Sequence, residues 1–416
     1  MPSGARCARQ NDPLHILTRR VGEAVYWSWI ANAVGLTFNV SFLLLALLVP
    51  IDALKMGLST TTVGILTAIP GVMQLPTRII SGPMTDVLGE RIVLLLTFGL
   101  GTIAGLCAGM VSPQILGLAL GQLAVGAARG IFWPAAQSFA SRLPGNRVQN
   151  LGTFTSFTKG GALIGIAIAG SAAMVLGIRA AFLGSSALAL LCFLIALRFP
   201  RWQPNRSDGG WRRALKGLLP AVRRPFVVNT GLLAFLTAVP QALAQSFYPI
   251  LLIRAGLSDQ WASMLTAAQS LGMILAGLLA AFLVRKLGLK KFALSSSILL
   301  VVAFGLTASK PLVWIGIAIF MAGLASGWLN VAFLSLVVGL SDDVERGTNL
   351  GMAQGYFVIA MMGTPALTGL VSTQIGLSNS FVWIGVGSLV IAILVAVLWR
   401  WAFSAPKAGL HRPLGA

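Results

Sequence analysis

Long apolar stretches alternate with short polar breaks along most of the chain. A helix needs about 20 predominantly apolar residues to cross the hydrocarbon core of a bilayer. Division of the chain at its polar breaks predicts twelve such helices, near residues 24–50, 60–81, 92–111, 114–139, 150–176, 180–199, 226–252, 261–284, 292–309, 311–340, 348–374 and 381–402. The pattern therefore predicts an all-α integral membrane protein.

The composition supports this prediction. The 416 residues are 56% hydrophobic and only 10% charged, and the mean hydropathy is +0.86. A chain of this kind cannot solvate itself as a water-soluble globule. The first twenty residues are basic and polar without a short apolar core, so no removable signal peptide is expected. Cys7, Cys107 and Cys192 have neither disulfide nor metal-ligand spacing, and no metal or cofactor is expected.

The positive charges are distributed unevenly between the two sides of the predicted helices. The formal net charge is +20. If both termini are cytoplasmic, 23 of the 30 lysines and arginines fall in cytoplasmic segments and four fall in outside loops. This is the positive-inside signature of a multi-pass plasma (inner) membrane protein, and such charges attract the anionic inner leaflet. Topology explains the basic excess, so nucleic-acid binding is not expected.

The two halves of the sequence correspond at an offset of 199 residues. Gly170 matches Gly369, Gly177 matches Gly376, and the letters NLG occur at both 150 and 349. Two six-helix halves joined by a linker are typical of one class of secondary transporter. The expected units are a cytoplasmic tail, a six-helix bundle, a cytoplasmic linker with a surface-lying amphipathic helix, a second six-helix bundle and a second cytoplasmic tail. They span residues 1–20, 21–199, 200–225, 226–402 and 403–416.

The loop after the second predicted helix carries the most specific motif. Its sequence, GPMTDVLGER at residues 82–91, resembles the loop signature of the major facilitator superfamily. Val87 and Glu90 stand where that family usually has basic residues. The resemblance implies a conformational latch formed by Gly82, Asp86, Gly89 and Arg91. A carboxylate at a helix end can accept backbone N–H groups and pair with an arginine; the alternative is that Asp86 and Arg91 are solvated loop charges.

Two further segments are similar to motifs of the same family. Arg129 and Gly130, followed by Pro134, resemble its fourth-helix arginine motif. KGGALIG in the fifth helix is loosely similar to the glycine motif of the antiporter branch, and GTPALTG in the eleventh helix contains Pro365. The resemblance implies twelve transmembrane helices in two pseudo-symmetric six-helix bundles. It also implies a central cavity lined by the first, fourth, seventh and tenth helices.

Three positive charges, Arg78, Arg129 and Lys159, lie within predicted helices. Lys159 lies twelve residues past Arg147, and Arg129 lies thirteen before Arg142. At about 1.5 Å of rise per residue, both lie roughly 18–20 Å from the loop that joins their helices. This distance places them near the middle of a bilayer core about 30 Å thick. All ten acidic residues fall in tails, loops or the mouth of the first span, so no carboxylate is expected at this depth.

Two cations at one depth on adjacent antiparallel helices repel each other unless an anion lies between them or one loses its proton. In the first interpretation, Arg129 and Lys159 bind the carboxylate, phosphate or sulfonate of a substrate. In the second, Lys159 is the proton-coupling group. One structural alternative makes Arg129 a donor to backbone carbonyls at a helix break. Arg78 is expected to snorkel to the inner surface or to pair with Glu90 or Asp86.

Uncharged polar side chains in the spans are candidates for the rest of a binding site. The candidates are Asn32, Asn39, Gln241, Gln245, Asn330 and Gln354. Asn39, Gln245 and Asn330 are favoured because the family resemblance places their helices around the cavity. Each of these side chains can equally form an interhelical hydrogen bond, which is worth about 0.6 kcal/mol on average.

The expected function is secondary active transport by alternating access, as a monomeric symporter or antiporter linked to protons. The preferred substrate is a small organic anion or a zwitterionic metabolite. The alternative within the same fold is proton-driven efflux of hydrophobic drugs or metabolites. An enzyme is not expected, because both histidines lie in the tails and the chain has no phosphate-cradling loop or acidic cluster. A receptor or scaffold of this fold would show no solute flux.

Overall fold

The structure is a computed structural model, and it describes residues 13–143, 147–200, 224–309, 311–340 and 346–403. Within these residues it has thirteen α-helices and no strand. The helices are α1 Pro13–Lys55, α2 Thr60–Leu88, α3 Glu90–Met110, α4 Gln114–Arg142, α5 Arg147–Leu176, α6 Ile178–Ala196, α7 Pro225–Ala244, α8 Phe247–Arg254, α9 Asp259–Leu287, α10 Leu289–Thr307, α11 Leu312–Leu340, α12 Arg346–Ile375 and α13 Leu377–Phe403.

Twelve of the described helices are long and apolar enough to cross a membrane, which confirms the predicted number of spans. Helix α1 begins at Pro13, inside the segment that we expected to be an N-terminal tail. The predicted amphipathic linker helix falls mostly on residues 201–223, outside the described residues. The predicted loop positions of four acidic residues were wrong: Asp52 lies in the last turn of α1, Asp86 lies in the last turn of α2, and Glu90 and Asp259 begin α3 and α9.

The seventh predicted span is broken into two helices, α7 and α8. Helix α7 ends at Ala244, and α8 begins at Phe247. Pro249 explains the break, because a proline has no N–H to donate to the carbonyl four residues earlier and its ring clashes with that carbonyl. The carbonyl in question belongs to Gln245. The break therefore falls at a candidate binding residue.

The internal repeat is visible in the helix boundaries and in the turns. The bounds of α2 and α9, and the starts of α5 and α12, are each separated by 199 residues. Glycines in the left-handed region of φ recur at the same offset. The pairs are Gly57 and Gly256, Gly89 and Gly288, and Gly177 and Gly376. These turns need glycine because a side chain is disfavoured at positive φ, so turn geometry has kept the repeat where the surrounding sequence has diverged.

Each half packs its six spans in the same arrangement. In the N-terminal half, α4 packs against α2 and α3, α1 packs against α5 and α6, and α3 packs against α6. In the C-terminal half, α11 packs against α9 and α10, α7 packs against α12 and α13, and α10 packs against α13. The fold is therefore two pseudo-symmetric six-helix bundles.

The two halves meet through α2 against α12 and α5 against α9. Matched glycines allow both contacts. A Cβ at Gly369 would lie 2.6 Å from the backbone oxygen of Thr60, and a Cβ at Gly170 would lie 2.6 Å from Oγ of Ser263 and closer still to the backbone of Asp259. Without side chains at these positions the helix backbones can approach closely, which is how small residues promote helix association in lipid.

These contacts close the molecule at one end, which we call the closed end. It carries the turns at Gly57, Gly177, Gly256 and Gly376. Here Lys55 of the N-terminal half forms an ion pair with Asp259 of the C-terminal half. Leu48 and Ile51, toward the C-terminal end of α1, are fully buried, whereas Trp29 in its N-terminal half is 62% exposed.

Candidate functional site

A cavity of about 60 Å³ lies between the two halves, near the middle of the spans. Helices α1, α4 and α5 of the N-terminal half and α7 and α9 of the C-terminal half line it. The lining residues are Phe38, Asn39, Phe42, Leu43, Arg129, Phe132, Trp133, Thr158, Lys159, Ala162, Ile166, Gln241, Ala244, Gln245, Gln269, Ser270 and Met273. None of these residues is acidic, and both predicted mid-membrane cations are among them.

Arg129 is held in place by two contacts. Its Nη1 donates a hydrogen bond to Oε1 of Gln245 at 3.1 Å, and its Cζ lies 4.6 Å from the centroid of the Phe42 ring. The first contact joins α4 to the break between α7 and α8, so it links the two halves of the molecule. The second is a cation–π contact, which is stronger where water is excluded. The rest of the guanidinium can still form a bidentate contact with an anion.

Lys159 lines the same cavity. It is half-buried, and within the described residues it forms no hydrogen bond and no ion pair. The nearby Arg129 repels it electrostatically. A charged side chain at mid-membrane depth normally faces a water-filled cavity or a partner of opposite charge. The cavity therefore contains an uncompensated positive charge.

Amide side chains form the part of the cavity wall opposite the cations. Gln241 donates weakly to Oγ of Ser326 at 3.4 Å and to the Thr237 carbonyl at 3.2 Å. Gln269 donates to Sδ of Met273 at 3.3 Å, and this thioether is only a weak acceptor. On the N-terminal half, Asn39 donates to the Gly35 carbonyl at 2.8 Å, so its amide oxygen can accept a bond from a ligand.

Four aromatic residues complete the wall, and the sequence analysis did not identify them. They are Phe38 and Phe42 on α1 and Phe132 and Trp133 on α4. The Phe38 and Phe132 centroids are 4.8 Å apart, and those of Phe132 and Trp133 are 5.3 Å apart with a T-shaped arrangement. Phe132 and Trp133 lie one turn after Arg129, and that spacing is the only signal in the sequence that indicates a shared face.

Three predicted site residues lie away from this cavity. Asn32 is buried in α1, and Asn330 and Gln354 are half-buried in α11 and α12. None of the three lines the central cavity in the part of the chain that the structure describes. Asn32 lies about two turns from Asn39 toward the end of α1 opposite the closed end. The cavity is built from α1, α4, α5, α7 and α9, so the expected contribution of the tenth span is missing in this conformation.

The predicted latch loop has a different set of contacts from those expected. Gly89 adopts a φ of 80° between α2 and α3. Arg91 donates to the carbonyl of Leu197 at the C-terminal end of α6, where a cation is favourable. Gly82 and Asp86 lie on α2, but the side chain of Asp86 is outside what the structure describes, so the latch stays a prediction.

Glu90 provides a second contact at this loop. It is 3% exposed, accepts from Ser138 at 2.7 Å, and pairs with Arg142 at 2.9 Å. These contacts tie the start of α3 to the end of α4. The expected pairing of Glu90 with Arg78 is therefore replaced by pairing with Arg142. Arg78 is half-buried on α2.

The fold has many counterparts among solved membrane transporters. A mutant of the nucleoside transporter NupG superposes with a TM-score of 0.77 at 15% identity, covering 90% of this chain and 100% of that chain. A bacterial homolog of the human lysosomal transporter Spinster, in an inward-facing and unoccupied conformation, gives 0.71 at 16% identity, covering 91% and 96%. A POT family transporter in complex with 5-aminolevulinic acid gives 0.75 at 14% identity, covering 90% and 96%. At these identities the likeness concerns the fold.

The arrangement of two six-helix bundles around a central polar cavity is that of a secondary transporter. The Major Facilitator Superfamily model matches residues 30–260 and 226–416. The chain therefore belongs to the major facilitator superfamily. It is a transporter and not an enzyme, and it is a multi-pass membrane protein.

Proposed function

We propose that this protein transports a small organic anion or a zwitterionic metabolite with an anionic group. The observation that carries the proposal is Lys159, which has no partner among the described residues and lies beside Arg129 in a cavity whose lining has no carboxylate. A charge at the centre of a bilayer costs at least about 2.5–3.5 kcal/mol on insertion scales. An anion bound between the two cations compensates both charges, so binding of an anionic substrate is favourable.

The geometry suits an anion that contacts two different cations. Arg129 presents a planar fork whose position is fixed by Gln245 and Phe42, and Lys159 presents a compact point charge on a flexible stem. A carboxylate can accept two N–H bonds from the fork and a third from the ammonium. A POT family transporter of the same fold was solved with 5-aminolevulinic acid, so this architecture can accommodate a small acid.

The charge of the cavity weighs against the alternative of hydrophobic drug efflux. A neutral apolar ligand would displace water from the two cations and the amides without forming ion pairs or hydrogen bonds with them, which costs free energy. Protection of cells by this protein against a broad panel of hydrophobic toxins would favour the efflux alternative.

We also propose that the protein lies in the inner membrane, that its closed end faces outward, and that both termini are on the cytoplasmic side. The basic side chains support this orientation, since the four assigned to outside loops are Lys55, Arg179, Arg254 and Lys310 and 23 others belong to cytoplasmic segments. The closed end carries the helix ends at Lys55, Arg179 and Arg254. The conformation is then closed to the outside.

The substrate class can be tested with the purified protein in proteoliposomes. We expect an unlabelled small carboxylate or phosphonate to compete with uptake of a labelled organic anion, whereas its matched amide or ester should not compete. The physical reason is that only the charged compound compensates Lys159 and Arg129. Protein-free liposomes are the control. Equal competition by the neutral compounds, or uptake confined to cations, would contradict the proposal.

Proton linkage can be tested at Lys159 itself, for which we propose a second role as the proton carrier. A lysine can release its proton when no anion is bound, whereas an arginine stays charged. Lys159→Arg is therefore expected to keep anion exchange while losing accumulation driven by an imposed pH gradient. The measurement compares counterflow with gradient-driven uptake in the same vesicles. If Lys159→Arg accumulates substrate like the wild type, Lys159 carries no proton.

A further inference from the structure

The chemical groups of the central cavity are segregated by helix. The two cations lie on α4 and α5, and the aromatic rings lie on α1 and α4. Three of the four amides lie on the other half, on α7, directly after it and on α9, and the fourth is Asn39 on α1. A ligand that spans this cavity therefore contacts positive charge and aromatic rings on one half and amide groups on the other. This distribution restricts its chemistry further than charge alone.

Four aromatic residues lie next to the cations, and three of them contact one another. Phe42 lies under the guanidinium of Arg129 at 4.6 Å, and Phe38, Phe132 and Trp133 follow one another with centroids 4.8 Å and 5.3 Å apart. Aromatic rings prefer offset-stacked or edge-to-face contact with another ring. A flat ring attached to the anionic group can make such contacts while its charge reaches Arg129 and Lys159.

The amides on the other half retain hydrogen-bonding capacity toward the cavity. Gln245 uses its Oε1 for Arg129, which leaves its amide NH₂ to donate. Gln241 uses its NH₂ within its own half, which leaves its carbonyl oxygen to accept. A hydroxyl group, which both donates and accepts, matches this pair.

We infer, on the basis of the proposed anion transport, that the substrate is a planar aromatic or heteroaromatic monocarboxylate. Its carboxylate contacts Arg129 and Lys159, its ring lies against the wall formed by Phe42, Phe132 and Trp133, and a hydroxyl or similar group at its far end contacts Gln241 and Gln245. Aliphatic carboxylates of equal size satisfy the charge but not the rings.

Four probes separate these contributions: benzoate, 4-hydroxybenzoate, cyclohexanecarboxylate and benzamide. Their binding is measured by calorimetry on the purified full-length protein in lipid nanodiscs. We expect benzoate to bind about two- to tenfold more tightly than cyclohexanecarboxylate, which is the range for an aromatic contact beyond its area. We expect 4-hydroxybenzoate to bind more tightly than benzoate, and benzamide to show no measurable binding.

Variants assign the effect to the aromatic wall. Trp133→Leu is expected to bring the ratio of the benzoate and cyclohexanecarboxylate affinities toward one, while cyclohexanecarboxylate still binds. Trp133 is half-buried, so this change perturbs the core less than a change of Phe132, and Phe42→Leu is a second variant with the same expected result. Phe282→Leu is the matched control, because Phe282 is 57% exposed on α9 and outside the cavity lining.

The outcomes separate the inference from the proposal on which it rests. Equal affinities for benzoate and cyclohexanecarboxylate, or an unchanged ratio in both wall variants, overturn the aromatic inference and leave anion transport intact. Equal binding of benzamide and benzoate overturns anion recognition itself. Failure of all four probes to bind also overturns the aromatic inference, and the competition experiment with non-aromatic anions then decides the proposed function independently.

Discussion

Replacement of Lys159 by alanine is expected to lower kcat/KM for uptake of the transported anion by about a hundredfold. Truncation of one partner of a buried charge pair typically costs about 2–5 kcal/mol, and every 1.4 kcal/mol is about tenfold. Arg129→Ala is expected to lose at least as much, because it removes the anion contact and the hydrogen bond to Gln245 across the two halves. Initial uptake rates in proteoliposomes measure both effects.

Two kinds of control make this result specific. Lys290→Ala removes an exposed lysine at the start of α10, and it is expected to transport like the wild type. Arg129→Lys keeps the charge but loses the planar fork, so an intermediate loss of about tenfold is expected. Unchanged uptake in both Lys159→Ala and Arg129→Ala would exclude this pair as the anion site. Thermal stability of each purified variant separates loss of function from loss of folding.

Leucine at Gly369 or Gly170 is expected to abolish transport while substrate binding from the cytoplasmic side is kept. A side chain at Gly369 would collide with the backbone of Thr60, whose oxygen lies 2.6 Å from the Cβ position, and Gly170 faces Asp259 and Ser263 in the same way. Either leucine would wedge the halves apart at the closed end. Neither glycine lines the central cavity. Substrate binding is therefore expected to be kept, although the protein can no longer alternate between its two conformations.

The wedge can be detected with a reporter cysteine. In a background with Cys7, Cys107 and Cys192 replaced by serine, Leu48→Cys reports access to the closed end, because Leu48 is fully buried. A membrane-impermeant thiol reagent added from outside should label it only when Gly369→Leu or Gly170→Leu is also present.

Gly277→Leu is the control for the reporter experiment, since a Cβ there meets nothing within 4 Å. Normal transport with no labelling in both wedge variants would show that these glycines do not control closure. Labelling of the control would show that the leucine, and not its position, causes the exposure.

Several features of this transporter followed from the sequence because each depends on local composition or on a repeated spacing. A span needs about 20 apolar residues to cross the bilayer, so the number of spans was predicted correctly, although α1 begins earlier than predicted and the seventh span is broken in two. A turn with positive φ favours glycine, because a side chain is disfavoured there. The offset of 199 residues can therefore be recognised from Gly177 and Gly376 in the sequence. The common depth of Arg129 and Lys159 followed from helical rise alone.

The tertiary structure decided which side chains share the cavity. Asn330 and Gln354 met the same sequence criteria as Gln241 and Gln245 but lie outside the cavity lining. Rotation of each helix about its axis is set by packing against several neighbours at once, and a nearly uniform apolar span has little periodicity that could reveal it. The aromatic wall was missed for the same reason, because phenylalanine is common both on lipid-facing surfaces and in the core of such spans.

The sequence by itself determined the class of this protein, its twelve spans, its two matched halves and the presence of two unusual cations at one depth. Only the tertiary structure placed Gln245 at a proline-induced helix break against Arg129 and left Lys159 without a partner within the described residues. The difference is physical, because solvation and helix geometry act residue by residue along the chain. Contacts between α4, α5 and α7 exist only once the two bundles have packed together.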